Sequence, residues 1–257
     1  MRRAGFRYWI LNPQSPTPAG QGGTYVLGDL SWARQHGYGT DLRKQQDRAA
    51  QMNPNSCYFA GLSRARQQAA LVAPNGPGPE GLQATLPNGI HVQHSSRGCV
   101  SMAQQQLYGD LAAWFRATKI AENLPGGRFG LVVNDPTFTA GVTAWSGCMR
   151  QRGHEVNSPT DVHRLFADPA TAPSLDKEIA IAVDEARCAA STGLADTAER
   201  LDARYAAMQR NQFRSELAER QRLQHAAVPR AQALAGSASW SSPSPRRSPL
   251  PATQPAE

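Results

Sequence analysis

The chain lacks any long hydrophobic run and contains very little lysine. No apolar stretch approaches the roughly 18 residues that a membrane-spanning helix needs, so the sequence predicts no transmembrane segment. Lysine occurs only at positions 44, 119 and 177, so arginine carries nearly all of the formal net charge of +7. The densest basic stretch, Arg214 to Arg222, also contains Glu216 and Glu219, whereas nucleic-acid-binding proteins group their basic side chains on one face. The charge pattern therefore argues against nucleic acid as a partner.

Two common catalytic motifs are also missing. The sequence contains neither G-x-S-x-G, which presents the nucleophile of many hydrolases, nor G-x-x-x-x-G-K-[ST], which binds nucleotide phosphates. We predict no catalytic residue, no cofactor and no metal site, and we favour a protein that is not an enzyme.

Glycine, proline and serine divide the chain into three predicted parts. Residues 1–100 form an irregular, Gly/Pro-rich and partly helical part, in which Asp29 to Gly37 predicts a short capped helix. Residues 101–228 form a helical domain, and residues 229–257 form a Ser/Pro-rich tail that we predict to be disordered. Partial alternation within the first part also permits a β-hairpin built on Leu82, Ala84, Leu86, Ile90 and Val92.

Apolar residues at helical spacing predict a mainly α fold. We predict helices over about 102–121, 136–152, 159–166, 175–192 and 195–226. Pro125-Gly126-Gly127 is expected to lie beyond the end of the first of these helices. Gly193 permits a tight turn, so the last two helices are expected to form an antiparallel α-hairpin. Its buried face is predicted to contain Ile179, Val183, Leu201, Tyr205 and Met208.

Four cysteines, Cys57, Cys99, Cys148 and Cys188, allow three full pairings. Cys148 and Cys188 lie on two predicted helices whose apolar faces must share one core, so we predict a disulfide between them. Two buried free thiols are the alternative. Because disulfides persist in oxidising compartments, the bridge would place the protein outside the cytoplasm. Cys57 and Cys99 are expected to be either a poorer pair or unpaired.

The first residues resemble a segment in the middle of the chain. Residues 1–8 read M-R-R-A-G-F-R-Y and residues 149–156 read M-R-Q-R-G-H-E-V, and Cys148 directly precedes the second copy. We therefore expect the natural protein to carry a cysteine, and an export signal, upstream of Met1. That cysteine should pair with Cys99 or Cys57, and we favour Cys99. If Met1 is the true start, the protein is instead cytoplasmic.

Several segments resemble a family of small exported, often lipid-anchored, actinobacterial proteins with no assigned activity. The main ones are W-S-G-C-M-R-Q-R-G at 145–153, S-P at 158–159 and E-I-A-I-A-V-D-E-A-R-C at 178–188, followed by a long polar helix. G-C at 98–99, L-Y-G-D at 107–110 and the opening M-R-R-A-G-F-R-Y-W fit the same pattern. The resemblance covers most of residues 1–225 and implies a mostly helical fold, cysteine pairing and an extracytoplasmic location. It implies no catalytic residue. The chain departs from the pattern by lacking an export signal and by adding Cys57 and the tail.

Two groups of residues could carry reactive chemistry, although we favour a structural role for each. His91, His94 and Cys99 could bind zinc, but a fourth ligand is not evident and the paired spacing of zinc ligands is absent. Cys148 could be a nucleophile with His154 or His163 as its base. A cysteine beside an apolar helical stripe suits a structural bridge better.

Two further groups could bind a ligand. His154, Glu155, Asp161 and His163 could form a small-ligand site near one helix end, although capping and solvated loop positions are the favoured interpretation. An aromatic sugar-binding groove could be lined by Tyr108, Trp114 and Trp145. The two tryptophans lie on helical apolar stripes, so we favour core packing for them.

These features together predict a non-enzymatic binding or structural protein that is envelope-associated or secreted, with cell-envelope components as candidate partners. One alternative is an extracellular enzyme acting on the cell wall or on small molecules, which a pocket with converging acids and a perturbed histidine would favour. The other is a cytoplasmic nucleic-acid-associated basic protein, which a single-face arginine cluster would favour.

Overall fold

The structure, a computed structural model, describes residues 1–11, 23–168 and 172–237. These residues form eleven α-helices and one two-stranded sheet, which confirms the mainly α fold class. A short 3₁₀ turn, Arg2–Ala4, precedes them. In chain order the elements are α1 Leu30–His36, α2 Thr40–Gln51, α3 Pro54–Ala60, α4 Arg64–Asn75, β1 Gly81–Thr85, β2 His91–Ser95, α5 Cys99–Tyr108, α6 Leu111–Val133, α7 Pro136–Gln151, α8 Pro159–Leu165, α9 Leu175–Ser191, α10 Leu194–Gln212 and α11 Arg214–Ser237.

Capping side chains explain where the first helices begin. Asp29 accepts hydrogen bonds from two backbone N–H groups in the first turn of α1, and Gly37 follows its last residue, as predicted. Asn53 caps α3 in the same way, and Pro54 occupies the first helical position, where its missing N–H costs nothing.

The predicted β-hairpin is present. β1 and β2 pair antiparallel, with Gly81 opposite Ser95. Leu82 and Ala84 lie on one face of β1 and are buried against Phe115 of α6. The hairpin therefore covers part of one side of α6.

The helix predicted over 102–121 is in fact two helices. α5 ends before Gly109, which has a φ of 84°. α6 begins after Asp110, whose side chain accepts a hydrogen bond from the N–H of Ala113 at 2.9 Å. A single apolar stripe runs across both helices, so periodicity alone conceals the break between them.

Pro125-Gly126-Gly127 lies inside α6, so the prediction that this segment ends a helix is wrong. α10 and α11 both pack along α6, and the Gln209 side chain donates a hydrogen bond to the carbonyl of Leu124 at 3.0 Å. Packing and side-chain hydrogen bonding at this point outweigh the local preference of proline and glycine for a helix end.

α7, α8 and α9 agree with the predicted helices over 136–152, 159–166 and 175–192. Asp135 caps α7 and Ser158 caps α8, and a proline follows each of them at the first helical position. These are the strongest start signals in the sequence.

The long helix predicted over 195–226 is divided at Phe213 into α10 and α11. α11 continues through Pro229 to residue 237, so the predicted start of the tail at 229 is wrong. Leu223 and Ala227 are buried, and Arg230 donates a hydrogen bond to the carbonyl of Leu107 at 3.1 Å, which together hold this stretch against α5 and α6. Residues 238–257, on which the prediction of disorder also falls, lie outside the described residues.

The α-hairpin of α9 and α10 is present, but its buried face differs from the predicted one. Leu201 is buried and Tyr205 is partly buried, whereas Met208 is 45% exposed. On α9, Ile179 and Val183 are only half-buried. The covered face of α9 consists of Glu178, Ala182, Glu185, Ala186, Cys188 and Ala189.

The main core lies between α7, α8, α9 and α10. Trp145 of α7, Phe166 at the end of α8 and Leu194 of α10 have no exposed surface. The extended segment 23–28 crosses this core and contributes Tyr25 and Val26 to it. Of the helices that the structure describes, none is both long and apolar enough to cross a membrane.

Candidate functional site: a pocket beside Tyr38

Helix α9 carries two glutamates into the core. Glu178 and Glu185 are seven residues apart, which is about two helical turns, so both lie on the same face of α9. Neither has any exposed surface. A buried carboxyl group is costly unless it is hydrogen-bonded, so the partners of these two side chains show what they stabilise.

Glu178 fixes the turn between α1 and α2. Its Oε1 accepts hydrogen bonds from the backbone N–H of Tyr38 at 2.8 Å and of Thr40 at 3.1 Å, and its Oε2 accepts one from the Thr40 hydroxyl. Gly37 has a φ of +56°, and a Cβ at this position would lie 2.5 Å from the Glu178 Cγ. Both the backbone conformation and the space at this turn therefore require glycine.

Glu185 holds two further parts of the same region. Its Oε1 accepts a hydrogen bond from the N–H of Leu27 at 3.0 Å, and its Oε2 accepts one from the Tyr38 hydroxyl. Burial raises the pKa of Glu185 to about 7, and these two hydrogen bonds limit the rise. Burial, together with the nearby Glu185 carboxyl, also raises the pKa of Tyr38, so the phenol stays protonated and donates.

Arg43 and His163 lie beside the same tyrosine. Arg43 donates hydrogen bonds from Nη1 to the carbonyl of Tyr38 at 2.9 Å and from Nη2 to the carbonyl of Phe166. Burial lowers the pKa of His163, and the positive charge of Arg43 lowers it further, so the imidazole is neutral at pH 7. Its Nε2 lies 3.8 Å from the Glu185 Oε1. Because the ring is neutral, this contact is not a full ion pair.

These side chains border a pocket of about 490 Å³, which we term the Tyr38 pocket. The rings of Tyr38 and Phe166 stack with their centroids 4.6 Å apart, and the His163 ring meets Tyr38 edge-on at 5.4 Å. The remaining lining consists of Gly23, Thr24, Leu27, Trp32, Gly37, Arg43 and Ala167. The pocket thus combines aromatic walls with one cationic side chain.

The groups that are accessible in this pocket suit binding. Glu185 is fully covered and both of its oxygens accept hydrogen bonds, so a molecule in the pocket does not meet a free carboxylate. His163 is 36% exposed and neutral, so it can donate one hydrogen bond and accept another. Aromatic faces, a neutral imidazole and a guanidinium together favour a small planar ligand with an anionic group.

A second pocket, of about 620 Å³, lies on the other side of segment 23–28. There the Arg128 Nε donates a hydrogen bond to the Asp202 Oδ1 at 2.6 Å, and the Tyr25 hydroxyl donates to the same oxygen. Burial, with the hydrogen bond to Asp202, raises the pKa of Tyr25 to about 12. These groups satisfy one another and tie segment 23–28 to α6 and α10, so we interpret the cluster as structural.

Cys148 and Cys188 form the predicted disulfide, which joins α7 to α9 with a Cα–Cα distance of 5.7 Å. A sulfur in this bond cannot act as a nucleophile, so the Cys148 hydrolase alternative is wrong. Cys57 and Cys99 are both free thiols. They were expected to be either a poorer pair or unpaired, and they are unpaired. The Cys99 Sγ lies 3.4 Å from the amino nitrogen of Met1, and its pairing with an upstream cysteine stays a prediction.

The structure does not assemble the zinc ligands that the sequence suggested. His91 and His94 are three residues apart on β2, so their side chains point to opposite faces of the strand. His91 shares a hydrogen bond with Thr85, and His94 with the carbonyl of Ser95. Within the described ranges, no group of three or more His, Cys, Asp or Glu side chains is arranged to hold a metal ion.

The four residues predicted as one small-ligand site lie in separate environments. His154 shares a hydrogen bond with Asp184 at 3.0 Å, and Asp161 accepts one from the hydroxyl of the residue that caps α8. Glu155 is exposed, with an oxygen 4.0 Å from Arg150. Only His163 lines the Tyr38 pocket.

Trp114 and Trp145 pack in the interior, as the helical stripes indicated. Trp145 has no exposed surface, and Trp114 is buried against Leu223 of α11. Tyr108 stacks on Trp114 with ring centroids 3.5 Å apart. The three residues therefore do not form a sugar-binding groove.

No motif in the sequence points to Tyr38, Arg43, Glu178 or Glu185. The two glutamates lie in the stretch 178–188 that carries the family resemblance, which implies no role for them. The signal that could have found them is a pair of acids seven residues apart, on a helix face otherwise filled by alanine and cysteine.

Comparison with protein-family models, with curated proteins and with solved structures finds no match to this chain. Its function is therefore inferred from the geometry of the Tyr38 pocket and from the disulfide.

Proposed function

We propose that the protein is a non-enzymatic binding protein that works in an oxidising compartment outside the cytoplasm. The observation that supports binding is the construction of the Tyr38 pocket. Two fully buried glutamates of α9 hold the chain around Gly37 to Thr40, so the pocket walls are fixed before any ligand arrives. A site that is ordered in advance loses less entropy when it binds.

The disulfide supports the compartment. Disulfides persist in secreted and envelope proteins, whereas cytosolic thiols are kept reduced. The Cys148–Cys188 bridge joins two core helices, which is the position of a structural rather than a catalytic bridge. The resemblance of residues 145–153 and 178–188 to exported proteins agrees with this proposal.

The ligand that fits the pocket best is a small planar molecule with a carboxylate or similar anionic group. Tyr38 and Trp32 offer partly exposed aromatic surface, Phe166 supports Tyr38 from the interior, and Arg43 supplies positive charge at the pocket wall. The Nη1 and Nη2 atoms of Arg43 donate hydrogen bonds to backbone carbonyls, which are uncharged. The positive charge of the guanidinium is therefore not neutralised by these partners.

The extracellular-enzyme alternative is less well supported by this geometry. The perturbed acid and histidine that it requires are present, because the pKa of Glu185 is raised and that of His163 is lowered. A general base must, however, come within hydrogen-bonding reach of the proton that it removes. Glu185 is covered completely, and both of its oxygens are used within the fold.

The binding proposal can be tested with two matched probes, benzoate and the neutral benzamide. We expect benzoate to shift the NMR signals of the His163 ring in a saturable manner, and benzamide to bind more weakly. Trp32→Ala should weaken benzoate binding roughly tenfold through loss of one aromatic wall. Met208→Ala, an exposed position on α10, is the control and should have no effect.

Arg43→Gln provides a second arm for this experiment. It should remove the preference for benzoate over benzamide, because the guanidinium is the charged group of the pocket. Binding that is equal for both probes in the wild type, or that leaves the His163 signals unmoved, would show that the proposed ligand class or site is wrong.

The compartment can be tested separately by trapping thiols in the organism that makes the protein. Cells are alkylated before lysis, and peptides containing Cys148 and Cys188 are then mapped without reduction. We expect both cysteines in one linked peptide. Alkylated Cys148 and Cys188 in the mature protein would contradict the extracytoplasmic location.

A further inference from the structure

Two stretches in the amino-terminal part of the chain are basic and contain no acid. No Asp or Glu occurs between Met1 and Gly28, and none occurs between Arg48 and Pro79. The first of these stretches contains Arg2, Arg3 and Arg7. The structure places its opening segment, residues 1–11, on α3 and α4, which lie within the second stretch.

Two contacts fix the opening segment on these helices. The N–H of Trp9 donates to the Asn55 Oδ1 and the Asn55 Nδ2 donates to the carbonyl of Trp9, both at 2.9 Å. Arg66 of α4 lies over the Phe6 ring, 5.3 Å from its centroid, and donates to the carbonyl of Gly5 at 3.1 Å. The segment is therefore held against α3 and α4 at Gly5, Phe6 and Trp9.

The side chains that follow Phe6 are largely exposed, although the Trp9 ring also meets Tyr58 of α3 edge-on, with centroids 5.7 Å apart. Tyr8 is 54% exposed, Trp9 37%, Ile10 73% and Leu11 46%. Four consecutive large apolar or amphipathic residues are thus exposed together. Arg2, Arg3 and Arg7 are exposed beside them, and a hollow of about 630 Å³ lies between Arg2 and the residues from Gly5 to Trp9.

We propose that this surface, comprising Arg2, Arg3, Arg7, Tyr8, Trp9, Ile10 and Leu11, docks onto an anionic membrane surface. The charge is complementary, since the basic side chains have no acid near them in sequence and each contributes attraction to anionic headgroups. Tyrosine and tryptophan favour the headgroup level of a bilayer, and Ile10 and Leu11 reach the acyl boundary below it.

Exposed aliphatic side chains distinguish a membrane from nucleic acid as the partner. Arginines on one face would also attract a phosphate backbone, and Tyr8 and Trp9 could stack on bases. Ile10 and Leu11 gain nothing from a phosphate backbone, whereas their burial in a bilayer interface is favourable. Ile10 has the largest exposed fraction of the four residues from Tyr8 to Leu11, and this exposure therefore favours the membrane as the partner.

The test is co-sedimentation of the full chain with lipid vesicles. Vesicles of phosphatidylcholine and phosphatidylglycerol in equal amounts should bind the protein, and vesicles of phosphatidylcholine alone should not. Binding should weaken as salt is added, because exposed charges are screened. Equal binding to both kinds of vesicle would overturn the proposal.

Matched variants identify the surface. A triple variant should weaken vesicle binding roughly 100-fold, since each basic residue near an anionic surface raises the affinity about fivefold. Its substitutions are Arg2→Gln, Arg3→Gln and Arg7→Gln. Arg200→Gln with Arg210→Gln and Arg214→Gln removes the same charge from exposed positions on α10 and α11. This control should change binding by less than about threefold if the effect is local. Equal losses in the two variants would mean that only net charge matters, which contradicts a specific surface.

Trp9 provides a positional readout. Lipids brominated on the acyl chain should quench part of the tryptophan fluorescence of the wild type. Trp9→Phe should lose this quenching while it still sediments with anionic vesicles. Quenching that persists without Trp9 would place another face on the membrane. A nucleic-acid surface would instead give tighter binding to single-stranded RNA than to anionic vesicles at the same ionic strength. The three amino-terminal arginine substitutions would then abolish the binding to RNA.

Discussion

Gly37 sets the geometry of the Tyr38 pocket at the scale of a single residue. It combines a positive φ, at φ 56° and ψ −118°, with direct contact to the Glu178 side chain, which in turn orients Tyr38 and Thr40. Gly193, at the turn between α9 and α10, also has a positive φ but lies in the left-handed helical region and has open space where a Cβ would be. Gly193 is therefore the milder case on both counts, backbone strain and steric conflict.

We expect Gly37→Ala to lower the free energy of unfolding by at least about 2 kcal/mol, because backbone strain and the clash with Glu178 add. Gly193→Ala should cost only about 1 kcal/mol, since it introduces strain alone. Chemical denaturation of both variants measures the difference. Equal losses would show that Glu178 moves aside without cost.

Glu185 gives the fold a pH dependence with a defined sign. Its folded-state pKa of about 7 lies above its ordinary value of 4.5, so the folded protein binds the proton more tightly than the unfolded chain. The stabilisation is complete below pH 4.5 and is lost as the pH rises through 7. The raised pKa corresponds to a contribution of roughly 3 kcal/mol across this window.

Glu185→Gln should flatten this dependence, because glutamine keeps an acceptor for the Leu27 N–H and does not ionise. We expect the stability difference between wild type and variant to change with pH between 4.5 and 7, and to be constant above 8. Glu199→Gln, at an exposed position on α10, is the control. A wild type and variant with parallel pH profiles would contradict the raised pKa.

Helix α10 provides a matched pair at the scale of an element. Leu201 is buried in the main core, whereas Met208 on the same helix is 45% exposed. Leu201→Ala should cost about 2–4 kcal/mol through lost burial and a residual cavity. Met208→Ala should cost less than about 0.5 kcal/mol, as expected for a surface position. Thermal or denaturant unfolding distinguishes them, and similar losses would mean that α10 packs in a different rotation.

The sequence predicts helices best where a capping residue and a proline agree. α7 and α8 begin at such signals, and their predicted bounds are nearly those of the structure. The break between α5 and α6 was missed because one apolar stripe continues across Gly109. The continuation of α6 through Pro125, and of α11 through Pro229, depends on packing against other helices. Packing of this kind is not encoded locally.

The Tyr38 pocket could be predicted far less well than the helices. His163 was considered as a ligand residue, but with the wrong neighbours. Its actual neighbours, Tyr38 and Arg43, precede it by more than a hundred residues and reach it through the contacts of Glu178 and Glu185. The inward acids of α9 run against the amphipathic pattern, which predicts acids on the solvent face, and their seven-residue spacing on an alanine-rich face is the signal that the sequence offers.

At the scale of the whole molecule, the disulfide connects α7 and α9, two of the helices that enclose the main core. Replacing both Cys148 and Cys188 with alanine should lower the free energy of unfolding by about 4 kcal/mol under oxidising conditions, from the entropy of the closed loop. The same replacement of Cys57 and Cys99, which are free, should have a small effect. The comparison is made by denaturation with and without reductant. A wild type equally stable in both conditions would contradict a stabilising bridge.

Removal of the carboxyl-terminal residues tests where the folded part ends. Deleting residues 238–257 should leave the melting temperature unchanged. Deletion from residue 214 onward should lower it by several degrees, because α11 buries Leu223 and Ala227 against the rest of the molecule. A drop in melting temperature on the shorter deletion would show that the tail contributes to the fold.

The disulfide also turns residues 148 to 188 into a covalent ring, and one of the three lysines, Lys177, lies inside it. A protease that cuts only after lysine would cleave the chain at three places. The cut after Lys177 opens the ring without releasing either side, because the sulfur bond still joins them. Complete digestion should therefore give three separable products without reductant and four with it. A nick between Cys148 and Cys188 would therefore leave a single species in electrophoresis without reductant, and two fragments would separate only after reduction.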